Sequence, residues 1–225
     1  MTKNMMTRIL LLLFGLALGH ASALAQRSTV PPPPPPVVQP TPDPGELAGS
    51  NYTNEFFGMS VSVPANWVAL TARRNSELTE EAKKIIQADS QSKQKQVEAS
   101  IERSLTLMAM NKLPAGQPHN ANFMLVAEKI PSGAFKTGTD VIKSMSALGS
   151  GTNVRIELQG EILTKQIGGA EFGVATVRNS SEYGSFLQKI YVAMRKGYAI
   201  EFFFTYLDAE DVPAFDAIVN SIRFK

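Results

Sequence analysis

Asn54-Glu-Phe-Phe-Gly-Met-Ser-Val-Ser-Val-Pro-Ala-Asn-Trp67 alternates with a period of two over its centre. Met59, Val61 and Val63 fall on one side, Ser60 and Ser62 on the other, which is the pattern of a half-buried strand. Gly58 permits a bend just before it. Pro64 has no N–H to give a ladder and ends the strand. Asn66 favours a turn, and Trp67 offers a large anchor to the core.

The residues before this stretch divide in two. Met1–Ala25 has a basic start (Lys3, Arg8), an apolar run from Ile9 to Leu18 and the small-x-small triplet Ala23-Leu24-Ala25. That is a secretory signal peptide, leaving Gln26 first after cleavage. Ten apolar residues are too few for a bilayer core of about 30 Å, so no integral membrane span is expected after cleavage. Residues 26–51 read as a proline-rich linker. Pro31–Pro36 is an unbroken run, and fixed φ with missing donors favours a stiff polyproline II spacer over a recognised ligand.

Residues 52–225 form the expected domain, large enough to bury about 70% of the surface its unfolded chain exposes. The 225-residue chain is 44% hydrophobic and carries a net charge of +2. Without Lys3 and Arg8 the basic and acidic counts are equal, so nucleic acid is not an expected partner. There is no cysteine, so stability must come from packing, and thiol nucleophiles and thiolate metal sites are excluded. Only His20 and His119 are histidines, and His20 lies in the leader, which rules out a multi-histidine zinc site.

Downstream, Thr79–Ser104 reads as a long helix with Thr79 as N-cap. Its apolar stripes are Leu78, Ala82, Ile85, Ile86 and then Val97, Ile101, Leu105. The polar middle, Gln87–Gln96, is either solvated helix or a break, and is a candidate partner surface. Leu105–Met110 and Phe123–Ile130 read as strands around a Pro/Gly loop. Thr139–Leu148 is a second helix, closed by Gly149-Ser150-Gly151. Val154–Ile167 and Glu171–Val177 form a hairpin on Gly168-Gly169, and Phe186–Met194 and Tyr198–Tyr206 a second on Arg195-Lys196-Gly197. The last strand is apolar on both faces and so central. Asp211–Ser221 is the closing helix with Asp211 as N-cap, followed by a short packed tail. This order specifies an α+β fold: a three-layer α/β/α sandwich on one mainly antiparallel sheet, with three helices covering its faces.

Tyr52–Trp67 resembles the opening pattern of the PsbP/Mog1-like fold group: an aromatic, a Phe-Gly pair, alternating strand residues and Pro-x-x-Trp. Phe215-Asp-Ala-Ile-Val-Asn-Ser-Ile-Arg-Phe224 is similar to that group's terminal helix and tail. The resemblance spans the domain and implies a small exported bacterial PsbP-like module acting in binding or assembly. No catalytic residue comes with it.

The residues themselves assign no catalytic, cofactor-binding or metal-ligating position. His119 has no general-base partner in the sequence. Ser150 follows a helix, whereas a hydrolase elbow needs a strand before it. Gly149-Ser-Gly-Thr152 lacks the lysine of a phosphate loop. Asp208, Glu210 and Asp211 lack calcium-loop spacing and read as helix capping. Asn51-Tyr-Thr53 and Asn179-Ser-Ser181 are glycosylation sequons. Trp67 and the strand 198–206 read as core. The expected function is a non-catalytic binding or assembly module of the cell envelope, periplasmic or extracellular, with a protein partner. The alternative is a carrier or hydrolase for a small apolar ligand held beside strand 198–206.

Overall fold

The computed structural model describes residues 42–225 except 115, 116, 118, 119, 150 and 183. The leader, most of the arm, His119 and Ser150 therefore lie outside the described residues. Two glycine turns shape the large sheet. Gly168 and Gly169 have φ of +56° and +88°, and Lys196 and Gly197 have +50° and +77°. Positive φ at both central residues is the primed turn whose twist matches its flanking strands. These turns join β8 (Leu163–Ile167) to β9 (Ala170–Ser181), and β10 (Gly184–Arg195) to β11 (Tyr198–Tyr206).

Strand β11 then pairs with β6 (Asn122–Lys129), β6 with β5 (Ser104–Asn111), and β5 with the two-residue β4 (Val68–Ala69). At the other end β7 (Arg155–Leu158) and β8 share the outer edge of β9. Every pairing in this eight-stranded sheet is antiparallel. The single strand expected over Val154–Ile167 is thus two, with Gly160 at φ +95° in the break between them.

Alternation on the strands sorts side chains into two cores. One holds Val126, Val192, Ala199 and Phe203 beneath α1 (Ala72–Ile85), α2 (Gln91–Arg103) and α3 (Gly138–Gly149). The other, the lower core, holds Phe123, Tyr191, Ile200, Phe202 and Phe204 against α4 (Val212–Ser221) and a second, four-stranded sheet. That sheet runs β1 (Glu46–Ala48), β2 (Asn51–Asn54), β3 (Met59–Ser62), β12 (Arg223–Phe224). The fold is α+β, and one covering layer combines a helix with a small sheet. Met59, Val61 and Val63 are buried, and Trp67 packs edge-on against Phe215 at 5.9 Å.

Four further sequence expectations change. Glu46–Asn51, assigned to the linker, is folded, because Leu47 packs on the lower core and pairs with Tyr52. The long helix begins eight residues earlier, where Thr71 Oγ1 accepts from Arg74 N at 3.2 Å, and it breaks after Ile85. Its polar middle serves the break. Ala88 N donates to Gln94 Oε1 and Gln87 N to Asn153 Oδ1, both at 2.9 Å, while Asp89 N donates to Gly151 O. Asp211 heads α4 without a side-chain cap, because Lys112 Nζ holds its carboxylate at 2.7 Å. The expected packed tail is strand β12, paired with β3.

Helix α3 enters directly over the sheet. A Cβ on Gly173 would lie 2.5 Å from Gly138 C and from Thr139 N, both backbone. Gly173→Ala is therefore expected to lower stability by about 1–3 kcal/mol through forced backbone separation. Urea titration would show it as a lower midpoint at unchanged slope, and an unchanged midpoint would refute the close approach.

Candidate functional site: a groove along an open sheet edge

Strand β5 is the next-to-last strand of the large sheet, but β4 covers only its end. Val68 pairs with Asn111, Ala69 with Met110, and Leu70 N donates to Ala109 O at 2.8 Å. Over Ser104–Met108 the outer edge has no strand partner among the described residues. A shift in register between Thr106 and Met108 marks a bulge there.

A groove of about 510 Å³ follows this edge. Ala72, Asn75, Ser76, Thr79 and Glu80 of α1 form one wall, and Pro44, Gly45, Leu47 and Tyr52 the other. The second wall is pinned. Tyr52 OH donates to Pro44 O at 2.7 Å, and Asn54 Nδ2 donates to Asp43 O at 2.9 Å. Burial pushes the Tyr52 hydroxyl up to about 12, so it keeps its proton and stays a donor. On the α1 wall, Asn75 Oδ1 is out of solvent and has no donor among the described residues. An acceptor left so is costly unless something supplies an N–H or O–H. The groove is thus mostly uncharged and edged by backbone groups, which suits an extended peptide better than an ion.

A second polar feature lies on the closed face. Glu128 and Glu201, both fully buried, stand on neighbouring strands, with Glu128 opposite Ala199 and Glu201 opposite Val126. Ser100 Oγ donates to Glu128 Oε1 at 2.7 Å, and Arg103 Nη2 does so at 3.1 Å. Neither oxygen of Glu201 has a hydrogen-bond partner among the described residues. Burial, and then the charge of Glu128, push the Glu201 carboxyl well above its usual range, so it is held protonated. Enclosed under the helices, this pair bears on stability.

The structure brings none of the other weighed residues into a reactive cluster. Lys112 engages Asp211 and, at 3.8 Å, Glu210. Among the described residues no group of three or more His, Asp or Glu could hold a metal ion. Phe202 and Phe204 are fully buried, their ring faces taken by Phe123, Phe172, Tyr191 and Phe215. Asn51 is exposed, whereas Asn179 is buried with its amide 3.5 Å from Gln188 Oε1, so the second sequon is closed in the folded chain. No described helix is long and apolar enough to cross a membrane. The sequence reading missed the groove, because nothing in Leu105–Met110 says which neighbour the strand lacks.

No family model matches the chain, and no curated protein does. It is similar in structure to a cyanobacterial PsbP. The solution structure of PsbP (CyanoP) from Synechocystis sp. PCC 6803 aligns with a TM-score of 0.49 and 14% identity, over 80% of this chain and 95% of that one. The crystal structure of LpqN of Mycobacterium tuberculosis, involved in cell envelope biogenesis, aligns at 0.40 and 15%, over 81% and 88%.

Proposed function

We propose that this chain is an exported, non-catalytic binding or assembly module of the cell envelope, and that it holds a protein partner through the open edge of β5. The signal peptide and proline arm supply the exported setting. The observation that supports the binding role is the groove itself: a backbone edge with no strand partner among the described residues, flanked by largely apolar and neutral walls. A partner would add an extended segment along Ser104–Met108, with main-chain hydrogen bonds giving affinity and the walls giving selectivity.

Ser76 is exposed on the α1 wall and its substitution leaves the core untouched. Ser76→Trp fills the groove and is expected to weaken partner capture at least about tenfold, or about 1.4 kcal/mol. The measurement is photo-crosslinking from Thr79 in intact envelopes, with adduct peptides mapped on both proteins. Support requires one partner segment crosslinked at the groove and lost in Ser76→Trp. Undiminished capture by that variant, with adducts mapping elsewhere, would remove the edge from the account.

A further inference from the structure

The two walls of the groove differ in chemistry, and the plane of the large sheet divides them. Below it lie Leu47, Tyr52, Leu105, Leu107 and Met108, all members of the lower core or packed against it. Above it α1 presents Ser76, Thr79 and Glu80. Thr106 joins this upper side, because its cross-strand neighbour Val126 belongs to the helix-covered core. We infer that the groove selects an amphipathic extended segment of a partner protein, in which aliphatic residues alternate with small neutral polar ones. The inference rests on the edge reading above and adds to it the side-chain pattern that the partner must carry.

The bulge sharpens the division. Thr106 stands opposite Val126 and Met108 opposite Leu125, so Leu107 is the extra residue. Strict alternation would send Met108 upward with Thr106. The bulge turns it down instead, and Leu107 and Met108 both enter the lower core. The lower side of the edge therefore carries Leu105, Leu107 and Met108. Leu47 and Leu105 both line the groove and are only half-buried, so part of their apolar surface is left for a ligand.

An added strand sends successive side chains to opposite faces of the sheet. Along this edge one set meets Leu47 and Leu105, and the other meets Ser76, Thr79 and Thr106. Ser76 Oγ donates to Ala72 O at 3.2 Å and Thr79 Oγ1 to Asn75 O at 3.0 Å, so both hydroxyls remain as acceptors. A wholly apolar segment would strip water from them and return nothing. A wholly polar one would forfeit burial against the two leucines. Glu80 is the one charged side chain among the described lining residues, and Lys83 Nζ already donates to it at 2.9 Å. The upper wall therefore asks for hydroxyl or amide donors and not for a counter-ion.

The test is fluorescence polarisation of labelled nine-residue peptides against the full mature chain. Two probes share one composition: valine alternates with threonine in the first, and the valines are contiguous in the second. The alternating probe is expected to bind at least about tenfold more tightly, and to lose that advantage in Ser76→Trp. Equal affinity of the two probes would overturn the inference. So would an advantage that survives Ser76→Trp, or no binding by either probe up to about 1 mM. Each probe is also made with N-methyl groups on one alternate set of its amides or on the other. Equal affinity of the two probes, with binding abolished by one methylated set, would refute the pattern and leave the edge. Binding untouched by both sets would refute the edge itself, so the two failures are told apart.

Discussion

Phe204→Ala is expected to lower the unfolding free energy by about 3–5 kcal/mol, the usual cost of deleting a buried ring. Phe204 is fully buried at the centre of the lower core. Its ring stacks on Phe123 at 5.0 Å, meets Tyr191 edge-on at 5.7 Å, and lies 5.0 Å from Phe215 of α4. Removing it strips contacts from the central sheet and the closing helix together. Without a disulfide, that loss is a large share of the 5–15 kcal/mol that holds a domain folded. Equilibrium urea unfolding would measure it, and a loss below about 1 kcal/mol would mean that the ring is not a keystone of this core.

Stability is also expected to fall as pH rises, because of Glu201. Its carboxyl is raised far above the usual 4.5, first by burial and then by Glu128. In the unfolded chain the same group ionises near about 4.3. Between those two values the folded state keeps a proton that the unfolded state has released. The stabilising contribution is complete below about pH 4.3 and is lost, at about 1.4 kcal/mol per pH unit, as pH climbs toward the folded-state value. Glu201→Met removes the proton uptake and fills the same apolar setting beside Val126 and Val192. The variant is expected to exceed the wild type in stability by a margin that widens from pH 5 to pH 8. Parallel stability curves across that range would show that Glu201 is not carrying the proton.

Much of the architecture was readable from local chemistry. Met59, Val61 and Val63 alternate as a half-buried strand must, Gly168-Gly169 and Lys196-Gly197 supply the positive φ that primed turns need, and Phe202–Phe204 mark a strand covered on both faces. What escaped depended on distant partners. Asp211 looked like a cap by type and position, but Lys112, 99 residues away, takes its carboxylate. Thr79 suits a cap by type, but its Oγ1 donates to Asn75 O one turn back, which places it inside α1, while Thr71 Oγ1 accepts from Arg74 N as the cap. The groove belongs to strand order: Ser104–Met108 is an edge only because β4 is two residues long. Glu201 lies in an aromatic run whose alternation is legible, but its place beside Glu128 depends on β6 being the neighbouring strand, which no local pattern specifies.

The small sheet has a consequence for how the molecule assembles. Its second and third strands come from the start of the domain, yet β12 and the brace from Ser221 Oγ to Ser62 come from its far end, 159 positions along. Closing so long a loop costs entropy before any contact rewards it. Phe57, Met59 and Val61 complete their packing only when the final residues, Ile222 and Phe224, arrive. A chain delivered end-on would spend that interval with the apolar face of this hairpin bare, and holding chaperones would find their purchase there.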